Sequence, residues 1–400
     1  MTRNVPGAAI CLAALLLLVS VLAPVSAVRA GELVIGHLEM QGDRDYRKSR
    51  TFAAFLTQPL GRPHAGAEVA LAEVRWHGAA TQTIFALEHR RVRGDDLAAA
   101  AEAMLARGVH FIILDLPASG IVAVAKAMAG SDVVLFNIRA SDDRLRGPDC
   151  QANLLHIAPS DAMRADAIGQ FLALRRWREV LMLTGPLAAD QAMAAAFRRS
   201  AARYGLKIEE ERSFVLSNDP RQRDLNNPLL LTQGVDHDVI FVADSDGEFA
   251  RNLNYQSVDP RPLVGAEGLA GLAWHWSWGR HGAPQLEKRF QDHEGRPMRD
   301  PDWAAWLAVK AVATAVQRTG SADLATLRVH LLSDELVLDG FKGNRLSFRA
   351  WNNQLRQPVL LATHNSVVAR APVEGFLHRT NNLDTLGIDA PESTCRMGGN

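Results

Sequence analysis

The chain has 400 residues, with 44 basic and 44 acidic side chains and a formal net charge of zero, so its charge favours neither nucleic acid nor an anionic membrane surface. Hydrophobic residues make up 48%, ample for a large core, and the length suggests two domains. Aromatic content is only 6%, yet it includes 8 Trp and 3 Tyr, a skew that draws attention to where the tryptophans lie.

The N-terminus reads as an export signal. Arg3 supplies a positive start, residues 10–22 are apolar around Leu15, Leu16, Leu17 and Leu18, and small residues follow in Val25-Ser26-Ala27 or Val28-Arg29-Ala30. An apolar run of about 13 residues is short of the ~20 needed to span a bilayer. Residues 1–30 are therefore expected to be a cleaved signal peptide and the protein to be periplasmic. Cys11 lies too early in this segment to be a lipid-attachment site. Its removal leaves Cys150 and Cys395, an even pair in an oxidising compartment, and a disulfide between them is expected.

From residue 31 the pattern alternates strand and helix. Residues 33–38 form a short apolar strand, 46–56 have helical spacing, and 68–74 alternate like a strand. Asp95 and Asp96 precede an alanine-rich helix over 97–107, closed by Gly108. The continuous apolar runs at 109–114 and 133–136 read as strands covered on both faces, as in a parallel sheet, with a helix at 121–128 between them. A second series follows: a helix from Ser160 and Asp161 to about 174, a strand at 180–183, a helix over 190–204 closed by Gly205, and strands at 207–215, 239–242 and 262–264. Two such series predict an α/β protein of two doubly wound parallel-sheet lobes. The last third differs, with helices at 302–318 and 324–332 and then short antiparallel strands at 345–348, 358–361 and 366–369. The tail from about 384 is polar and expected to be irregular.

Enzyme motifs are missing. Gly265, Gly268 and Gly271 are three apart, which is not a dinucleotide fingerprint, and there is no phosphate-binding glycine loop with lysine and no nucleophile elbow. His293-Glu294 opens like a zinc-protease motif, but Pro297 stands where the second histidine belongs. The 13 histidines show no metal-ligand spacing. The reading is a protein that is not an enzyme and carries no cofactor or metal.

What remains is a set of loops at the C-terminal ends of the parallel strands, where open α/β sheets bind ligands. In the first lobe they offer Ser119, Asn137, Arg139 and Ser141; in the second, Asp190, Asp244 and Glu267. Taken singly, Ser119 and Ser141 read first as helix caps. Trp274-His275-Trp276-Ser277-Trp278 would place its three indoles on one side of an extended segment. Trp274 and Trp276 are candidates for an aromatic wall, with packing between lobe and loop as the alternative.

Several segments resemble the type 1 periplasmic binding proteins of the branched-chain amino acid kind. These are Ala158-Pro159-Ser160-Asp161 before a helix, Ala195-Ala196-Phe197-Arg198 through Gly205, residues 303–320, and Phe341-Lys342-Gly343 with Leu346-Ser347-Phe348. The resemblance implies two lobes joined by three crossings: 31–157 plus 268–338, and 158–267 plus 339–383, with 384–400 as a tail. It also implies a small-molecule ligand held between the lobes and an ABC transporter permease as partner. Ile35-Gly36-His37-Leu38-Glu39, Trp351 to Pro358 and the tail to Cys395 resemble more narrowly the substrate-binding proteins associated with PQQ-dependent alcohol dehydrogenase systems. That implies a link to alcohol oxidation, or alternatively an accessory role beside a quinoprotein dehydrogenase. The chain departs from the family where amino-acid binders carry Tyr-Gly before the second-lobe helix. Ala189-Asp190 stands there, which removes the aromatic lid and argues against a branched-chain amino acid as ligand. The three acidic residues suggest a ligand with a cationic or hydroxyl-rich part.

Overall fold

A computed structural model describes residues 31–47, 60–217 and 219–397. The proposed signal peptide and most of the helix expected at 46–56 lie outside the described residues.

The first lobe is built on a parallel sheet of β1 (Gly31–Met40), β2 (Thr83–Val92), β3 (Phe111–Asp115), β4 (Val134–Asn137) and β5 (Leu154–His156), in the order β2-β1-β3-β4-β5. Every residue of β3 is buried, because both faces are covered. One face (Ile35, Phe111, Ile113, Phe136) packs against helix α1 (His64–Thr81) and the helix Asp300–Thr319 through Trp303, Trp306 and Leu307. The other (Leu38, Ile112, Leu114, Leu135) packs against α2 (Leu97–Leu105) and α3 (Ala118–Ala127). The second lobe repeats the plan. Strands β6 (Glu179–Thr184), β7 (Lys207–Ser213), β8 (Val239–Ala243) and β9 (Leu263–Gly265) form a parallel sheet ordered β7-β6-β8-β9. Helices α4 (Asp161–Arg175) and α5 (Ala188–Tyr204) cover one of its faces. As the sequence indicated, Ser160 caps α4, its hydroxyl accepting from Met163 N.

The structure differs from the sequence expectations at several elements. Residues 68–74 are part of α1, not a strand; Ala67, Ala70, Leu71 and Val74 are all buried, and once the alanines count as apolar the spacing is helical. The partner of β1 is β2, an edge strand whose polar second half, Glu88-His89-Arg90-Arg91, hid it in the sequence. Finally, Leu346, Phe348 and Leu355 sit in the first-lobe core, whereas Leu269, Val359 and Leu361 sit in the second. Residues 339–357 thus pack with the first lobe. The second crossing falls after Leu272, because Ala270–Leu272 pairs with the second-lobe strand Val359–Ala362.

The lobes are joined by crossings at 157–160, 272–274 and 356–358, and buried polar side chains lash these together. Lys342 Nζ donates to Ala273 O (2.9 Å), Gln357 Oε1 (2.6 Å) and Pro358 O (2.9 Å). Gln357 Nε2 in turn donates to Ile157 O at 2.5 Å. The Lys342 Nζ and the Gln357 amide so connect all three crossings. Burial drives the Lys342 pKa well down, and the three acceptors together with the Trp303 ring 3.9 Å away compensate the amine. Gln354 adds a second tie, donating to His156 O and Ala158 O while accepting from Arg146.

The tail is not irregular. Asp384 is buried and accepts from Arg349 and Arg356, each at 2.9 Å. Gly387 N donates to Asp166 of α4 at 2.7 Å, and Glu392 pairs with Arg203 of α5. Cys395 then bonds Cys150, with Cα atoms 5.6 Å apart. The tail therefore runs across the second lobe and ends covalently on the first.

Candidate functional site

Two adjoining cavities of about 680 Å³ and about 340 Å³ share Ala266, Ala270 and Leu272 and together form a cleft between the lobes. The larger is walled by Glu267, His364 and Thr363 from the second lobe and by Trp276 and residues 296–301 on the first-lobe side. The smaller lies at the C-terminal ends of β8 and β9, bounded by Asp244, Ser245, Asp246 and by Arg164 of α4. Open parallel sheets bind ligands at this end, and the larger volume falls within the ~300–1,000 Å³ usual for small-molecule sites. Gly265 lets the wall close up: its φ is +113°, and a Cβ there would meet Val242 O at 2.4 Å.

The cleft is polar and bridged. Arg164 donates to Gly271 O at 2.5 Å and pairs with Asp300 at 3.0 Å, across the lobes. Asp300 also accepts from the backbone N–H groups of Ala273 (2.9 Å) and Trp274 (2.8 Å), within the second crossing. At the rim Arg44 meets Asp246 at 2.8 Å. Inside, Asp244 accepts from Ala250 N at 2.8 Å through Oδ2, while its buried Oδ1 has no hydrogen-bond partner among the described residues. Burial, reinforced by the charges of Asp246 and Asp190, pushes the Asp244 pKa up to about 6. Partial burial, with the charge of nearby Asp143, also pushes Asp161 up to about 6.

The structure sorts the residues that the sequence nominated. Asp244, Glu267, Trp274 and Trp276 line the cleft. Trp274 does so mainly with its backbone: its ring is buried, stacked on Trp303, and its indole N–H donates to Glu287 at 3.2 Å. Trp276 is 44% exposed and is the indole presented to the cavity. The three tryptophans do not share a side, because Trp278 N bonds to His275 O at 2.9 Å and turns the segment, sending Trp278 to Phe341 O.

Five other nominees lie outside these two cavities. Asn137 is fully buried, with Nδ2 donating to Ala140 O and His156 Nδ1 and Oδ1 accepting from the N–H groups of Arg139 and Ala140. It shapes its own loop. Arg139 is engaged by Asp43, Asp45 and Asp115. Asp190 is buried and joins two second-lobe loops, accepting from Leu187 N at 3.0 Å and Ser245 N at 2.6 Å. Ser119 is exposed and caps nothing, since α3 already begins at Ala118 with Pro117 before it. Ser141 is half-buried, and its carbonyl receives Asp161 N at 2.8 Å.

The sequence reading missed a second polar cluster, at the C-terminal edge of the first-lobe sheet. His37, Glu39, His89 and Asp115 come from three neighbouring strands, and His64 opens α1 above them. Tyr46 O–H donates to Asp115 at 2.7 Å, and Arg62 and Arg91 both donate to Glu39 Oε2, at 2.7 and 3.0 Å. The alternation His37-x-Glu39 in a strand was the available signal, but its partners stand far away in the chain.

Residues 66–254 match the family model described as "Periplasmic binding protein". Among curated protein sequences none matches the chain. Solved structures similar to it include the leucine-, isoleucine-, valine-, threonine- and alanine-binding protein of Brucella ovis in its closed conformation, at 13% identity and a TM-score of 0.70, covering 92% of this chain and 100% of that one. The branched-chain amino acid transporter substrate-binding protein of Streptococcus pneumoniae in complex with isoleucine gives 15% identity and 0.63, covering 85% and 98%. A solute-binding protein of an ABC transporter from Rhodopseudomonas palustris in complex with 3,4-dihydroxybenzoic acid gives 13% identity and 0.61, covering 85% and 94%. The fold is that of the type 1 periplasmic binding proteins, and within it residues 66–254 match the periplasmic binding protein family model.

Proposed function

We propose that this protein captures a small organic solute between its lobes in the periplasm and delivers it to an ABC importer. The observation that carries the reading is the inter-lobe cleft of about 680 Å³ beside lashed crossings, the arrangement needed for hinge closure on a ligand. Its solved relatives hold amino acids in one case and an aromatic acid in another. Here Asp244 and Glu267 on the second-lobe wall, with the exposed ring of Trp276, suit a ligand carrying a cationic or hydroxyl-rich part beside an apolar body. Ala189-Asp190 stands where the family's Tyr-Gly would be, so no aromatic lid is present there, and Asp190 is spent on loop anchoring. Calorimetric titration with amino acids, amines, aromatic acids and alcohols, paired with small-angle scattering, tests the reading. Stoichiometric binding with compaction supports it; absence of binding across all classes overturns it.

The finer part of the proposal is the link to alcohol oxidation, which rests on the resemblance of 35–39, 351–358 and the tail. Capture of a permease from periplasmic membranes supports the transport role. Capture of a quinoprotein dehydrogenase instead would favour an accessory one.

A further inference from the structure

The cluster at the edge of the first-lobe sheet contains more buried, unsatisfied polar atoms than the fold explains. His37 and Glu39 are both fully buried. In this parallel sheet His89 is in register with His37, and Asp115 with Glu39, so all four side chains leave the same face. His64 approaches from α1, its ring stacked on that of His89 at 4.0 Å and 5.1 Å from that of His37. Five atoms here lack a hydrogen-bond partner among the described residues: Nδ1 and Nε2 of His37, Oε1 of Glu39, Nδ1 of His64 and Nε2 of His89. Leaving one buried donor or acceptor unpaired costs about 1–3 kcal/mol, so five at one point call for a missing partner.

We propose that His37, Glu39 and His89, with His64 as fourth donor, bind a divalent first-row transition ion of the zinc type. Glu39 Oε1 lies 3.8 Å from His37 Nε2 and 3.2 Å from His89 Nε2. Tetrahedral zinc with bonds of about 2.0 Å sets its ligand atoms roughly 3.3 Å apart, close to the two separations from Glu39 Oε1. In place of their mutual contact at 3.2 Å, Glu39 Oε1 and the neutral His89 Nε2 would each give a lone pair to the ion. Imidazole with one carboxylate favours zinc, copper or nickel over calcium or magnesium.

The surroundings fit an outer shell. Arg62 and Arg91 hold Glu39 Oε2 and turn Oε1 inward, the kind of anchoring that orients a metal-binding carboxylate. Asp115 comes within the same space, one ligand atom each from His37, Glu39 and Asp115 lying within 4.8 Å of one another. Its oxygens already accept Tyr46 and pair with Arg139, so it offsets charge beside the ion. The ion would pin β1, β2 and the start of α1 together below the loop that carries Asp43, Asp45 and Arg44, and so brace the first-lobe edge of the cleft.

The untagged full chain, stripped with a chelator, is titrated with Zn²⁺ against a chromophoric competitor. One tight equivalent with a raised melting temperature is expected. Losing a supporting group around a metal costs ~10–100-fold in affinity, so His37→Gln with His89→Gln should weaken binding by roughly 100-fold or more. His293→Gln, beside the surface pair with Glu68, should leave it unchanged. No stoichiometric Zn²⁺, or equal affinity in the double variant, overturns the proposal. Should the double variant not fold, anomalous diffraction from zinc-soaked wild-type crystals decides. A peak bonded to His37 Nε2 and Glu39 Oε1 supports the site; a peak only elsewhere, or none, overturns it.

Discussion

Replacing both Cys150 and Cys395 by serine should destabilise the protein and loosen its hinge together. The bond closes a loop with a sequence separation of 245, and for a loop of that length the chain-entropy model gives about 5 kcal/mol. For a chain this large, that lowers the melting temperature by roughly 6 °C. The tail would remain attached by Asp384, Gly387 and Glu392, which hold Arg349, Arg356, Asp166 and Arg203. Its ordered path should therefore survive, while the covalent link from the tail on the second lobe to Cys150 on the first is lost. Scattering of the ligand-free variant should show a larger radius of gyration than wild type, and hydrogen exchange should rise at residues 390–397 before the rest of the tail. A melting temperature changed by less than about 1 °C, with scattering unchanged, would refute the reasoning that the tail restrains both lobes.

Asp244→Asn should alter the pH dependence of stability. The native carboxyl binds its proton up to about pH 6 and the unfolded one only to about 3.8, so its contribution to wild-type stability falls as pH rises through that window. The variant, which keeps an acceptor for Ala250 N, should be more stable than wild type by about 2–3 kcal/mol above pH 6 and equal to it near pH 4; denaturant melts at the two pH values check this. Lys342→Met strips Ala273 O, Gln357 Oε1 and Pro358 O of their donor and should cost about 3 kcal/mol or more, and equal urea midpoints would contradict that. Trp276→Ala should weaken ligand binding by about tenfold while leaving the melting temperature of the empty protein within about 2 °C, because the ring is exposed in the cleft and not part of the core.

The sheets were legible because buried parallel strands are continuous apolar runs: 111–114, 180–183 and 239–242 all became strands. The crossing at Ser160-Asp161 was legible through its cap. The edge strand β2 was not, since its outer half is charged to suit the cluster it borders. Residues 339–357 were misplaced because short antiparallel strands carry no mark of which core they join; only the burial of Leu346, Phe348 and Leu355 beside Trp303 and Trp306 decides it. Of the acidic residues nominated after second-lobe strands, Asp244 and Glu267 line the cavities, whereas Asp190 anchors loops. The first-lobe nominees lie outside them: Asn137 shapes its own loop, and Arg139 is held by Asp43, Asp45 and Asp115. His64 and His89 meet His37 only through the register of β1 with β2 and the entry of α1, neither of which a linear reading contains.

Native mass spectrometry of the protein purified gently from periplasm, then incubated with a small-molecule extract of its own cells, tests the central claim most directly. The account predicts one small organic molecule per chain, released on denaturation and reduced in occupancy by Trp276→Ala or Glu267→Gln. A chain that remains empty after this exposure, or one whose bound molecule is unaffected by both substitutions, would contradict solute capture in the inter-lobe cleft.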